Sequence, residues 1–183
     1  MNTQTQEAKS PSSMGLVSWL LSLAVGGFLI VFGITKFTGG AHIFPLIEMK
    51  ATALGFPMAD LFYPLVNYAT GTLEIVAGIL VILPMTRQRI GAPLAVVPFL
   101  GAFVFHLSPL LGIKVPAGYT ILEANAANAV AAGSRPVDAA LAAGSGFQPE
   151  HFQGPDTYAL FGLATLFLVL AILNALLHRR LAA

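Results

Sequence analysis

Four apolar runs, each about as long as a lipid bilayer is thick, constrain the fold of this chain more than any other feature. They are predicted at residues 14–36, 59–84, 90–113 and 158–178. An α-helix rises about 1.5 Å per residue, so about 20 apolar residues cross the hydrocarbon core. In lipid every backbone N–H and C=O must bond internally, which helices achieve within one segment. The sequence therefore predicts an all-α integral membrane four-helix bundle.

The composition agrees with a membrane location and excludes several functions. The chain is 56% hydrophobic and only 9% charged, whereas a soluble domain carries about 25% charged residues. The net charge of +1, with no cluster of Lys and Arg, argues against nucleic acid as a partner. The absence of cysteine excludes disulfides, thiol chemistry and iron–sulfur ligation. The partner that the composition does require is the lipid bilayer.

The chain divides into a polar N-terminal tail, residues 1–13, and a four-span membrane domain, residues 14–183. A secretory signal peptide is the alternative for the first apolar run. Its apolar core would be only about 7–15 residues long, and this run continues through residues 28–32. We therefore predict a retained membrane helix.

Basic residues predict how the bundle is oriented. In a four-span arrangement they fall mainly on one side, at Lys9, Arg87, Arg89, Arg179 and Arg180. The positive-inside rule places that side, and with it both termini, in the cytoplasm. The expected location is the bacterial cytoplasmic (inner) membrane.

On the opposite side, residues 114–157 form an extended outer loop. Its segments 120–132 and 134–143 are rich in alanine, a strong helix former, and Pro136 is tolerated in a first helical turn. Two short surface helices capping the outer face are predicted. The alternative is a loosely ordered linker of alanine and glycine.

Small and polar residues recur at helical spacing within the first three runs, which indicates the faces that pack inward. These stripes are Gly15, Ser18, Ser22, Gly26, Gly33 and Lys36 on the first run, Asn67, Gly71, Glu74 and Gly78 on the second, and Gly91, Ala95, Pro98, Ala102, His106 and Pro109 on the third. The three stripes are expected to converge inside the bundle.

A candidate polar intramembrane site lies on those stripes and consists of Lys36, Asn67, Glu74 and His106. Glu74 is an isolated acid within an apolar run, where a charge costs about 2.5–3.5 kcal/mol on insertion scales. Counting residues along each helix predicts a Glu74–His106 pair, with Lys36 directed outward to the interface unless the first span sits deeper in the membrane, in which case Lys36 joins the pair. The alternatives are structural: a protonated, hydrogen-bonded Glu74, a hydrogen-bonded core His106 and an interfacial Lys36. No catalytic residue and no metal site are predicted.

Several short motifs resemble those of the DoxX-like family of small four-helix membrane proteins. They are Gly33-Ile34-Thr35-Lys36-Phe37, Leu54-Gly55-Phe56-Pro57, the segment from Gly71 to Leu80 with Glu74 and Gly78, Thr86-Arg87, and Ala102-Phe103-Val104-Phe105-His106. The resemblance covers residues 15–112, and the fourth span matches only in hydropathy. It implies a four-helix bundle of the kind found in quinone-linked membrane proteins, with Lys36, Glu74 and His106 among the recurrent polar residues. The longer loop 114–157 departs from the family pattern.

Three functional hypotheses are then compatible with the sequence. Some DoxX-like relatives are small subunits of a thiosulfate:quinone oxidoreductase, and others associate with membrane redox complexes. The first hypothesis is therefore a non-catalytic accessory or anchoring subunit of such a complex, with other membrane subunits or further copies of the chain as partners. The second is a protein that handles a quinone or small solute through Glu74 and His106, with quinone as its cofactor. The third is a small transporter.

Overall fold

A computed structural model of the protein describes residues 13–38, 43–117, 152 and 155–182. These residues are mostly helical. Five α-helices and one short two-stranded ladder are present among them: α1 (Ser13–Phe37), α2 (Ile43–Ala53), α3 (Asn67–Ile82), α4 (Ala92–Leu107), β1 (Val115–Pro116), β2 (Asp156–Thr157) and α5 (Ala159–Ala182).

Four segments are long and apolar enough to cross a membrane, which confirms the predicted number of spans. They are Gly15–Phe37, Ala59–Ile82, Arg89–Leu107 and Ala159–His178. The second and third end earlier than predicted, and both do so just before a proline. Leu83 and Ser108 take extended backbone conformations, because the residue preceding a proline is disfavoured in the helical region.

The second span does not begin as a regular helix. A 3-10 turn at Ala59–Leu61 is followed by a wide turn at Phe62–Val66, within which Tyr63 is extended (φ −133°, ψ 130°). Tyr63 again precedes a proline, Pro64, so the same steric restriction applies. Regular α-helix starts only at Asn67.

Glycines bring α1 and α3 into backbone contact. A Cβ placed on Gly26 would lie 2.7 Å from the carbonyl oxygen of Gly78, and one on Gly78 would lie 2.7 Å from that of Gly26. Gly33 and Gly71 oppose each other in the same way, at 2.7 and 3.1 Å. Because small residues allow membrane helices to approach closely, these two pairs fix α1 and α3 as an antiparallel pair. They also confirm the inward faces predicted for the first two spans.

The remaining helices complete the bundle around an apolar centre. α1 packs against α3 and α5, and α4 packs against α5 and α3. The buried centre includes Val25, Leu29, Val81, Phe99 and Ala171. Many large apolar side chains are exposed on the outer faces of the spans, as contact with lipid requires.

The two ends of the bundle differ. At one end, here called the turn end, α1 begins and α3 ends, and residues 83–88 connect the second and third spans. At the other, the α2 end, α2 packs its buried face on Tyr63, Leu111, Val115 and Phe152. Helix α2 was not anticipated from the sequence. The predicted helices at 120–132 and 134–143, and most of the polar tail 1–13, lie outside the described residues.

The short ladder pairs residues near the two ends of the outer loop 114–157. Val115 pairs with Thr157 and Pro116 with Asp156, antiparallel. The predicted fold class was all-α, and this two-residue strand pair is a small departure from it. It brings Pro116 and Asp156 together at the α2 end.

Candidate ligand site inside the bundle

Lys36 and Glu74 form an ion pair inside the bundle. Lys36 Nζ donates a hydrogen bond to Glu74 Oε2 at 2.5 Å, and the two side chains are only 8% and 13% exposed. The expectation that Lys36 would extend outward to the interface was wrong. The partner predicted for Glu74 was also wrong, because Lys36 holds the position that was assigned to His106.

The geometry of two antiparallel helices explains this pairing. The glycine pairs at Gly26–Gly78 and Gly33–Gly71 set a register in which Lys36 and Glu74 are offset by about six residues, or about 9 Å along the axis. Side chains on a helix lean toward its N-terminus. Lys36 on α1 therefore leans toward the turn end, and Glu74 on α3 leans toward the α2 end. The two side chains close the gap from opposite directions.

Aromatic rings and an amide hold Lys36 in place. Its Nζ lies 6.0 Å from the ring centroid of Phe32 and 5.9 Å from that of Phe44, within range of a cation–π attraction. Asn67 Nδ2 donates to the carbonyl of Lys36 at 2.9 Å, which satisfies a carbonyl at the end of α1. Asn67 Oδ1 has no hydrogen-bond partner among the described residues.

His106 is oriented by the loop that follows α4. Its Nδ1 lies 2.8 Å from the carbonyl oxygen of Gly112, which can only accept, so Nδ1 carries the hydrogen. Gly112 has a φ of +85°, a conformation that glycine adopts without a Cβ clash. Because Nδ1 is occupied, a neutral His106 presents Nε2 as a hydrogen-bond acceptor. Within the described part of the chain, Nε2 has no hydrogen-bond partner.

Lys36, Glu74 and His106 all line one cavity of about 430 Å³. Its walls come from all four spans and from α2, and they are mostly apolar: Phe28, Phe32, Phe99, Phe105, Leu163 and Ala164 are among them. Thr35 and Thr70 also line it, but each hydroxyl donates to carbonyls of its own helix. The cavity is therefore an apolar, aromatic chamber with one cation, one carboxylate and one imidazole on its wall.

Helix α2 covers this cavity and is fastened by two polar contacts. Ile43, Phe44 and Ile47 line the cavity. Lys50 Nζ donates to the carbonyl of Leu111 at 2.7 Å, and Glu48 Oε2 accepts from the backbone N–H of Tyr63 at 3.2 Å.

Glu48 lies on α2, outside the membrane-spanning segments, and its acidity is altered. Burial raises the pKa of Glu48 to about 7. The N–H of Tyr63 acts in the opposite direction, and the nearby Asp60 adds to the increase in pKa. Glu48 therefore changes charge near neutral pH.

Of the four predicted site residues, the structure brings three to one cavity. Asn67 does not line it and instead contacts the backbone behind Lys36. The convergence of polar stripes was sufficient to find the three residues. It was not sufficient to pair them, because the direction in which each side chain leans had not been considered.

A second buried polar cluster lies toward the turn end, between α1 and α5. Ser22 Oγ donates to the carbonyl of Ser18 at 2.9 Å, Asn174 Nδ2 donates to Ser22 Oγ at 3.1 Å, and Ser18 Oγ lies 3.0 Å from His178 Nε2. All four side chains are buried. Ser18 and Ser22 belong to the predicted stripe of α1, but their partners were missed. The signal in the sequence that could have identified these partners is the spacing of Asn174 and His178, two polar residues four apart on an apolar helix.

Fold and site together define a class: a four-span membrane protein with a charged cavity between its helices. No protein-family model, curated protein or solved structure matches this chain. The resemblance to the DoxX-like family therefore stays a prediction, and the function has to be argued from the geometry of the cavity.

Proposed function

We propose that this protein binds a lipid-soluble quinone in the cavity and performs no redox step of its own. One observation carries this proposal: a cation, a carboxylate and an imidazole share the wall of an otherwise apolar, aromatic chamber. A volume of about 430 Å³ lies in the range of about 300–1,000 Å³ typical of small-molecule sites. Sites of that kind combine apolar walls with a few polar groups that orient the ligand.

The polar groups match the hydrogen-bonding needs of a quinone and of the corresponding quinol. An ammonium has three N–H donors, and among the described residues only Glu74 accepts one from Lys36. A quinone carbonyl can accept another. A quinol hydroxyl can donate to Glu74 or to His106 Nε2. In a cavity of low dielectric constant such bonds are stronger than in water, and the aromatic walls offer stacking surfaces for the ring.

The setting of this site follows from the charge pattern. We propose that both termini face the cytoplasm of a bacterial cell, since the basic residues of the short turn and of the C-terminus support that orientation. The α2 end, and the cavity near it, would then face the periplasmic side of the inner membrane. Membership of the DoxX-like family is part of the same proposal.

Binding of a tailless dimethoxy-methyl-benzoquinone to the detergent-purified protein tests this function. We expect saturable binding, weakened at least tenfold in the double variant Lys36→Met/Glu74→Gln and in His106→Phe. The double variant removes both charges together and so avoids leaving one unpaired. Lys114→Met is the matched control, because Lys114 is an exposed lysine that contacts Tyr158 outside the cavity. Absence of saturable binding to the wild-type protein would overturn the proposal.

A further inference from the structure

A groove on the lipid-facing side of α4 adjoins the cavity. It is lined by Val97, Leu100, Gly101, Val104, Phe105 and Leu110, together with Ser108. Three of these residues, Val97, Gly101 and Phe105, also line the cavity. The cavity and the lipid-facing groove are therefore neighbouring spaces separated by a shared wall.

Gly101 is the smallest element of that shared wall. Among the described residues, a Cβ placed on Gly101 would meet no heavy atom of another element within 4 Å. This differs from Gly26, Gly33, Gly71 and Gly78, where a Cβ would collide with a neighbouring helix. Helix packing therefore does not require glycine at position 101, and the missing side chain leaves space between cavity and groove.

We infer that the tail of the bound molecule leaves the cavity over Gly101 and lies in the groove on α4. This inference rests on the proposed function and extends it, because it identifies the ligand as a quinone with a long aliphatic tail, taken up from the bilayer. A cavity of about 430 Å³ accommodates a substituted ring but not a long isoprenoid chain as well. The tail must then pass out where the cavity adjoins lipid.

The chemistry of the groove fits this occupant. Its side chains are almost all aliphatic or aromatic, and the surrounding lipid is equally apolar. Moving the tail from lipid into the groove thus has little hydrophobic driving force, and packing is the main gain. The tail is consequently a steric requirement of the site rather than its main source of affinity. Filling the space at Gly101 should weaken binding of a tailed ligand more than binding of a tailless one.

The test compares a decyl-tailed benzoquinone with the same benzoquinone lacking the tail, on the wild-type protein and on Gly101→Leu. We expect Gly101→Leu to weaken binding of the tailed compound at least tenfold more than it weakens binding of the tailless one. Gly162→Leu is the matched control, since Gly162 is an exposed helical glycine with equally open space. It should leave both affinities unchanged.

The outcomes separate this inference from the function on which it rests. If the wild-type protein binds neither compound, the proposed function itself fails. If it binds both, and Gly101→Leu weakens both equally or neither, the exit over Gly101 is wrong while the quinone site stands. If Gly162→Leu has the same selective effect as Gly101→Leu, the effect does not come from the groove and the inference is overturned.

Discussion

Lys36 is held between two aromatic rings and one carboxylate, at a position where an unpaired charge would be costly. Each member of the Lys36–Glu74 pair compensates the burial of the other, and Asn67 fixes the backbone from which Lys36 extends. Removing one member of a buried ion pair typically costs more than removing both, because the remaining charge has no partner. The pair therefore contributes to folding as well as to the proposed site.

This coupling predicts the outcome of a double-mutant cycle. Lys36→Met or Glu74→Gln alone should destabilise the protein, the first by about 3–5 kcal/mol, since it leaves a buried carboxylate unpaired. The double variant should be more stable than Lys36→Met. Thermal unfolding in detergent measures the loss of stability in each variant, with Lys114→Met as the control. Strictly additive losses would contradict the direct pairing of Lys36 with Glu74.

Glu48 predicts a dependence of stability on pH. Its pKa is raised from 4.5 to about 7, so between these values the folded protein binds more protons than the unfolded chain. The free energy of unfolding must then fall as pH rises through this window, and the loss is complete above about pH 7. Glu48→Gln cannot ionise and should flatten the profile.

Unfolding midpoints measured between pH 4.5 and 8 check this prediction. Asp156→Asn, which removes an exposed acid on β2, is the matched control. A Glu48→Gln profile identical to that of the wild-type protein would show that Glu48 does not titrate as described.

The site residues themselves could be predicted from the sequence, but their pairing was not. Lys36, Glu74 and His106 were found because polar residues are rare in apolar runs and fell on converging stripes. The pairing was missed because Lys36 was treated as an isolated lysine near a helix end, for which the interface is the expected destination. Helical side-chain direction, applied to two antiparallel helices, would have predicted Lys36–Glu74 instead.

At the scale of elements, the contact between α1 and α3 rests on glycine. Gly78→Val should destabilise the protein by about 1–3 kcal/mol, because overpacking forces the helices apart. Its Cβ would lie 2.7 Å from the carbonyl oxygen of Gly26, and a backbone carbonyl cannot move aside as a flexible side chain can.

Gly162→Val is the control for this substitution. It introduces the same β-branched side chain into a helix, but at a position where the added Cβ would meet no atom of another described element within 4 Å. Thermal unfolding should show a larger loss of stability for Gly78→Val than for Gly162→Val. Equal losses of stability would indicate that helix propensity, and not the α1–α3 contact, accounts for the effect.

Elements also differed in how well the sequence predicted them. The four spans were predicted because hydropathy over some 20 residues depends little on tertiary contacts, and the premature ends at Leu83 and Ser108 follow from local proline sterics. Helix α2 was missed because it is short, contains Pro45, and is stabilised by packing on Tyr63 and Leu111. Contacts of that kind, distant in sequence, are not visible in the sequence of the helix itself.

For the whole molecule, the orientation of the bundle is directly testable because the chain has no cysteine. A single cysteine at Met58 or at Met85, both highly exposed and at opposite ends of the second span, gives one labelling site. A membrane-impermeant maleimide should label Met58→Cys in intact spheroplasts and Met85→Cys only after permeabilisation. The reverse pattern would contradict cytoplasmic termini.

The role as accessory subunit stays a prediction. In that role the extended outer loop would offer a docking surface, and its residues 118–146 lie outside the described residues. Deleting those residues and testing co-purification in mild detergent addresses that role separately from the cavity. A quinone site and a docking segment are compatible, since the described lining of the cavity comes from the four spans, α2 and Leu111.

The most direct test of the central claim is photolabelling with an azido-quinone, followed by mass spectrometry of the labelled peptides. We expect label on cavity-lining residues such as Phe32, Phe105 and Leu163, removed by excess unlabelled quinone and reduced in Lys36→Met/Glu74→Gln. Label confined to lipid-facing residues outside the cavity, such as Leu20 and Leu166, and undiminished by competitor would contradict a quinone site inside the bundle.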